Sequence, residues 1–398
     1  YRSMNFQIKL YESSNNIDFI YGSFVASGNA PTLIPANVGI KGSDNNNSVN
    51  VSKSSSISYS AATFIDGPYT NQNPFNTRNS VLPVSGVAYR FLAAPVTPFD
   101  LKVDQIFTMG EIPLSFGFPH QVKARIRNVG TQSVNRVKCG LVISGANSFS
   151  DNIDTAISIL PGGSAIVSFR PIASFDTLGF DTVTVTLGQD SFLLNNSLTI
   201  DQKITPGVFS YANNMAPVGR AGYGLDQGVL LVKYYFNGSG IITSVKAHIS
   251  NDPTNIGKTV YGCIQSLSGS EPDSCRSLPV VLTAADLNTY KEFILKKPVR
   301  LYNQYFYAGL AQYRVAGVSY YPLSIQNEGA VTRPGVYYSG ILGGGLPIQE
   351  VNSAGRFMIQ AVINDGIKPF IITQPKSLAL CEGVVDSLTV RATGQSIS

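Results

Sequence analysis

The chain has 398 residues, 43% of them hydrophobic and only 13% charged, with a net charge of +5. At ~150 residues per domain this length predicts two or three domains. A charged fraction about half the ~25% of ordinary soluble domains leaves the polar surface to Asn, Ser, Thr, Gln and Tyr. The positive charges are spread thinly, with no Lys/Arg cluster interleaved with aromatics, which argues against a nucleic-acid surface. No stretch approaches the ~18 apolar residues of a membrane helix, so no direct membrane span is expected.

From the start of the chain, Phe6, Ile8 and Leu10 share one face of a strand, Ser13–Asn16 turns it, and Ile17, Phe19 and Tyr21 form the return strand. This is a β-hairpin with period-2 alternation. Tyr1–Arg2–Ser3–Met4 leads straight into it without a signal peptide, which suggests an internal start. Val38–Gly42 reads as a short strand and Ser43–Ser60 as an exposed Asn/Ser loop with a weak strand. Gly86–Leu92 closes this first block, residues 1–97, which reads as the C-terminal part of a sandwich.

Residues 98–206 form the next block. Strands are expected at Asp100–Phe107, Gln121–Arg127, Asn135–Ser144, Ser164–Phe169 and Asp181–Leu187, with a tight turn at Leu160–Gly163. Short strands at this spacing indicate an immunoglobulin-type sandwich. From Gly207 the spacing lengthens. Strands are expected at Gly228–Tyr235, Ile241–Ser250, Lys258–Gln265, Leu278–Leu282, Glu292–Leu295, Tyr305–Tyr313, Ser319–Ile325, Gly335–Tyr338 and Arg356–Ile363. Eight or nine strands with longer loops fit a jelly roll over 207–366. Ala284–Phe293 is at most a short turn or helix. In 367–398 a Pro-marked entry, Cys381 before a turn and an alternating strand at Ser387–Ala392 read as the opening of a further immunoglobulin-like domain. The fold class is therefore all-β, with sandwiches in tandem. Pro-containing linkers are expected at Ala94–Phe99, Ile204–Val208 and Ile367–Pro375.

Four cysteines suit an oxidising compartment. Cys263 and Cys275 flank a Ser/Gly/Pro loop, each six residues from Gly269. A hairpin about Gly269 would place them opposite one another at ~4.5–5.5 Å between Cβ atoms, near what a disulfide needs. Cys139 falls in a strand pattern and should be buried. Cys381 would need a partner beyond Ser398.

The only histidines, His120 and His248, fall in different blocks, and neither has a Cys or carboxylate at metal-ligand spacing. His248 alternates within a strand and should face solvent. Distant carboxylates could still build a glycosidase site without a local signature, but the 24 acidic residues form no suggestive cluster. No catalytic residue, resident cofactor or metal site is assigned. Asp44, Asn46 and Ser48 alternate as in a calcium loop, yet Val49 stands where that loop has Gly and Ser55 where it has Glu. Asn251–Asp252–Pro253 and Glu271–Pro272–Asp273 offer oxygen ligands for a structural calcium. Gly343–Gly344–Gly345 lacks the strand, helix and Lys of a phosphate loop.

Sugar stacking is the rival to a purely structural use of tyrosine. Tyr305, Tyr307, Tyr313, Tyr320, Tyr321, Tyr337 and Tyr338 concentrate in the third block, although Tyr is also a strong strand former and the chain has no Trp. A carbohydrate site would take Tyr320, Tyr321, Asn327, Glu328 and Arg333, around a loop with aromatic and polar groups.

Three sets of residues carry resemblances. Asp100–Val103, Ile126–Gly130 and the Leu160–Gly163 turn resemble the adhesion-type immunoglobulin-like domain often called CARDB. Ile242–Val245, Ile256–Tyr261, Tyr305–Leu310, Arg333–Gly335 and Gly355–Ile359 resemble a domain of secreted Bacteroidetes proteins, several of which use a type IX secretion route. NFQIKLYESSNNIDFIYG, beginning at Asn5, resembles the sandwich that often precedes such modules. These resemblances imply a secreted or surface protein handled by outer-membrane secretion or anchoring machinery. Its partner would be a cell-surface or extracellular polysaccharide or protein. Asp154–Thr155–Ala156, Asp176–Thr177–Leu178, Asp181–Thr182–Val183 and Asp386–Ser387–Leu388 resemble Bacteroidetes O-glycan sites, and Thr155 and Thr177, expected in loops, are the best carriers. The reading is a non-catalytic adhesin or scaffold segment. The alternative is accessory carbohydrate-binding modules of a secreted hydrolase.

Overall fold

The computed structural model describes residues 2–12, 14–26, 33–41, 48–54, 56–67, 75–78, 80–92, 97–329, 331–351, 355–364, 370–373, 387 and 391–393. Among them the regular structure is β-strand, with a few single 3-10 turns and no α-helix, so the fold is all-β. The short turn or helix expected within Ala284–Phe293 is one such turn, Ala284–Asp286. Thr283 and Asp286 form a reciprocal capping box there, and the strand then begins at Tyr290. The chain divides into two compact units. One is Tyr1–Asp100 with Val129–Gln132 and Gly329–Val331, and the other is Leu101–Asn128, Ser133–Glu328 and Thr332–Ser398.

In the smaller unit the expected hairpin forms from Ser3–Leu10 and Ile17–Val25, with Phe6 opposite Tyr21 and Leu10 opposite Ile17. Alternation puts Met4, Phe6, Ile8 and Leu10 on one face, and that face remains exposed. The core lies elsewhere, among Tyr21, Val51, Tyr59, Phe75, Tyr89 and Phe91. Tyr21 meets Tyr59 and Tyr89 edge-on, at 5.1 and 5.6 Å between ring centroids, the arrangement that aromatic quadrupoles favour. The weak strand expected within Ser43–Ser60 forms as Ser48–Ser52, and its Val51 is a core residue where the sequence suggested only exposure. Asp44 and Asn46 of the calcium-loop pattern lie outside the described residues.

The larger unit begins as the expected sandwich. Leu101–Phe107, Lys123–Asn128 and Ser164–Ser168 form one sheet. Phe149–Thr155, Val137–Gly145, Gly179–Leu187 and Ser197–Thr205 lie side by side in the facing one. Inward residues alternate along each strand: Val103, Ala124, Ile126 and Val167 meet Cys139, Leu141, Ile143, Val183 and Val185 in one core.

This sandwich does not end at a linker. Glu111–Pro113 lies parallel to Lys203–Thr205 and antiparallel to Ser210, and Val208–Ser210 pairs in turn with Gln360–Val362. The facing sheet therefore continues into the strands of the third block as one 13-stranded sheet. The expected linker at Ile204–Val208 is a turn inside it, where Thr205 Oγ1 accepts the Val208 amide at 2.9 Å. Gly110 permits the junction, since a Cβ there would lie 2.2 Å from the Ala212 carbonyl oxygen. Aromatic rings fill the interior beside it. Phe209 lies 5.6 Å from Tyr234 and 5.9 Å from both Phe236 and Phe306.

Two long strands, Gly228–His248 and Tyr290–Gln312, dominate the rest. The sequence reads each as two shorter strands, with gaps at Phe236–Gly240 and Lys296–Gln304. The structure absorbs both as irregularities within continuous pairing. Gly219–Ala221, Leu323–Gln326 and Arg356–Phe357 form a three-stranded sheet, and their Leu323 and Phe357 enter the same core. Beyond Asn364, Phe370–Thr373 pairs with Arg391–Thr393. Cys381 lies outside the described residues.

Candidate functional site

The residues expected to hold a sugar fall in two neighbourhoods of the larger unit. Tyr320 is fully buried. Its hydroxyl donates to the Tyr313 carbonyl at 2.5 Å, and Gln312 Nε2 donates to the Tyr320 carbonyl at 3.1 Å. It therefore offers no ring face to a ligand, a correction to the platform reading. Tyr321 is half-buried. The Arg220 guanidinium sits 5.3 Å from its ring centroid and is ion-paired with Asp252.

Glu328 and Arg333 come together, but inside the protein. Leu323–Gln326 delivers Glu328, and the chain returns through Arg333 and Pro334 into Tyr337–Gly340. Arg333 Nε donates to Glu328 Oε1 at 2.8 Å, and the Tyr337 hydroxyl donates to Oε2 at 2.6 Å. Arg356 Nε approaches Oε2 at 3.4 Å. Arg333 also donates to the Thr108 carbonyl, and Gln105 donates to the Glu328 carbonyl at 2.6 Å. Its guanidinium lies 4.8 Å from the Tyr211 ring centroid. Burial is the largest influence and works against the Arg333 charge, yet Glu328, joined by Tyr337 and Tyr211, offsets it and holds the guanidinium above its ordinary pKa. Both side chains are almost wholly enclosed. The cluster fastens Leu101–Phe107 and the residues after it to the third block and presents no surface to a sugar. Asn327 is half-buried beside it.

Both histidines are structural. His120 is half-buried, with Nε2 2.6 Å from Thr108 Oγ1, a hydroxyl that also accepts from Gln202 at 2.6 Å. Burial, seconded by the Arg333 charge, lowers its pKa to about 4. His248 is buried rather than solvent-facing. Its Nδ1 lies 2.8 Å from Ser324 Oγ, because the sheet containing Leu323–Gln326 covers that face.

The oxygen clusters weighed for calcium are occupied by cations and donors of the protein itself. Asp252 pairs with Arg220 and accepts the Thr254 amide. Glu271 takes Arg276 at 2.7 Å and the Tyr261 hydroxyl at 2.9 Å. Lys296 takes Asp273 at 2.7 Å. Among the described residues no group of three or more His, Cys, Asp or Glu is placed to hold a metal ion.

The expected disulfide is not formed. Cys263 lies opposite Arg276, and its side chain joins the buried cluster of Tyr261, Tyr307 and Val229. Cys275 ends the 3-10 turn Asp273–Cys275, so the loop does not fold symmetrically about Gly269 and both thiols are free. Burial, and then the Glu271 charge, push the Cys263 thiol well up, and burial raises Cys139 to about 11. Alkylation of the native chain should label Cys275 well ahead of Cys139 and Cys263, whose thiolates are scarce. Peptide mass spectrometry would show this, and comparable native labelling of Cys263 would contradict its burial.

Of the glycosylation candidates, Thr177 sits exposed in a loop, its hydroxyl 3.1 Å from Asp176 Oδ1. Thr155 is not in a loop. It ends the strand Phe149–Thr155, opposite Val137.

The exposed tyrosines are different ones. Tyr235, Tyr302 and Tyr305 are 43%, 68% and 51% accessible, on the outer side of the two long strands. Tyr305 stood among the tyrosines noted in the sequence. What hid the grouping is spacing: Tyr302 and Tyr305 lie an odd number of residues apart, so simple alternation sets them on opposite faces, and only the register shift opposite Phe236–Ser239 brings them to one.

A family model described as NIDO related matches residues 1–93. Comparison with curated proteins found no match. Among the described residues, no helix is long and apolar enough to cross a membrane.

Proposed function

We propose that this chain is a non-catalytic segment of a large secreted or cell-surface bacterial protein, a scaffold or adhesin that acts by display and multivalent binding. The observation that carries the reading is the fusion of the second and third blocks through one 13-stranded sheet and one continuous core. Sandwiches joined through backbone pairing resist bending far better than sandwiches on a flexible linker, which suits a spacer that holds a binding element at a set distance. The NIDO-related match supports an extracellular module at the start of the chain. The type IX route and the outer-membrane machinery rest on the sequence resemblances alone. A second reading, accessory carbohydrate-binding modules beside a secreted hydrolase, is favoured by the exposed tyrosines.

Display by many weak sites predicts a steep dependence on density. Beads coated with the whole chain should adhere to polysaccharide-coated or cell-derived surfaces only above a threshold coating. Soluble chain should compete poorly, since multivalency strengthens binding by about 10²–10⁴ without new contacts. Absence of adhesion at every density would overturn the binding role.

A further inference from the structure

The outer face of the two long strands is unlike the rest of the larger unit. On Gly228–His248, Leu230, Val232, Tyr234 and Phe236 enter the main core, while Val229 and Leu231 enter the smaller cluster on the other side. Lys233 and Tyr235 continue this second row past the end of that cluster. The partner strand does the same, with Phe306 and Leu310 in the main core, Tyr307 in the smaller cluster and Tyr305 beyond it. The register sets Tyr235 opposite Tyr305 and Lys233 opposite Tyr307.

A bulge then extends the row. Gly238 and Asn303 adopt left-handed conformations, with φ of 83° and 41°, and Asn303 Oδ1 accepts the Gly238 amide at 2.7 Å. The extra residues shift the alternation, so Leu301 returns to the main core and its neighbours Arg300 and Tyr302 turn outward. Without this shift, Tyr302 and Tyr305, an odd number of residues apart, would face opposite sides. The result is an exposed row of Arg300, Tyr302, Tyr305 and Tyr235, ending at the half-buried Lys233. The Tyr235 and Tyr305 rings stand 4.8 Å apart at 62°, and Lys233 Nζ lies 4.8 Å from the Tyr305 centroid. Tyr302 faces Ser239, not another aromatic, so cross-strand ring packing does not account for it.

Charge points to the ligand. The two strands carry Lys233, Lys246, Lys291, Lys296, Lys297 and Arg300 against one carboxylate, Glu292. Lys246 approaches Glu292, Lys291 pairs with Asp286 and Lys296 with Asp273. Among the described residues that leaves Lys233, Lys297 and Arg300 without a carboxylate, two of them at the ends of the tyrosine row. An exposed aromatic face flanked by unmatched cations is complementary to a ligand with apolar faces and regularly spaced anions.

We propose that this row binds an acidic polysaccharide, with the C–H faces of successive sugar rings against Tyr302, Tyr305 and Tyr235, and ring carboxylates at Arg300 and Lys233. The proposal rests on the display reading and names the ligand class and site for it. From Arg300 to Tyr305 the strand runs roughly 16 Å at ~3.3 Å per residue, room for a short run of sugar rings.

Affinity electrophoresis of the whole chain through polygalacturonate, alginate and hyaluronate, with dextran as the neutral control, tests this. Retention is expected in at least one acidic gel and not in dextran. Tyr302→Ala with Tyr305→Ala should weaken it about tenfold or more, as truncation of an aromatic anchor does, while Tyr302→Phe should retain it. Lys233→Gln with Arg300→Gln should weaken retention and its salt dependence together. Unchanged thermal melting of these exposed-site variants would exclude misfolding. No retention in any acidic gel, equal retention in dextran, or retention indifferent to the tyrosine variant would each overturn the proposal. Beads that still adhere in the density assay while the gels retain nothing would overturn this site and leave the display reading standing. Failure of both would remove both.

Discussion

Replacing Glu328 by Gln should destabilise the larger unit by about 3–5 kcal/mol, the cost of leaving a buried charge without its partner. The carboxylate faces Arg333 and Arg356 and accepts the Tyr337 hydroxyl. The amide keeps the shape and loses the charge. Arg333 is enclosed by Phe107 and Tyr211 and cannot reach water, and its Nη2 finds no acceptor among the described residues. Glu328→Leu combined with Arg333→Met should cost less than Glu328→Gln, because removing both charges also removes the need to solvate them. With no Trp in the chain, urea unfolding is best followed by circular dichroism. A loss below about 1 kcal/mol for Glu328→Gln would mean that water reaches the cluster.

Acidification should weaken the same region through His120. In the unfolded chain this residue binds its proton near pH 6.5, whereas in the fold burial and then Arg333 hold it to about 4. The unfolded state therefore holds more protons between these values. The contribution of His120 is complete above pH 6.5 and is lost as pH falls, by about 3 kcal/mol at pH 4. His248, also lowered by burial, acts in the same direction. Glu111, raised chiefly by burial, acts in the opposite one, since the fold takes up its proton first. The comparison that isolates His120 is the stability difference between pH 7 and pH 4 in the native chain and in His120→Gln. The variant should lose most of that 3 kcal/mol dependence. Equal slopes would show that the ring is accessible and titrates normally.

Much of the fold was legible because it is local. Period-2 alternation located the first hairpin, and Leu160–Pro161–Gly162–Gly163 announced the turn before Ser164–Ser168, where Gly162 takes a φ of 75°. The places where expectation failed are those where distant strands decide. Asn237–Gly240 is made wholly of turn-forming Asn, Gly and Ser, yet Asn303, far along the chain, accepts the Gly238 amide and keeps it in the sheet. His248 sits at an alternating position that reads as outward, and only the separate strand Leu323–Gln326 makes that face an interior. Glu328 and Arg333 have the look of a binding loop until Thr108 and Gln105 close over them.

The exposed tyrosine row follows the same rule. Composition and alternation alone determined that the chain is all-β, poor in charge and rich in tyrosine, because residue preferences and side-chain period are properties of each segment. Which tyrosines face water, whether Cys263 meets Cys275 and whether the second and third blocks are hinged or fused were settled only by tertiary structure. Those outcomes depend on strand register and on which sheet covers which face, and a single bulge or crossover reverses them without changing the local pattern.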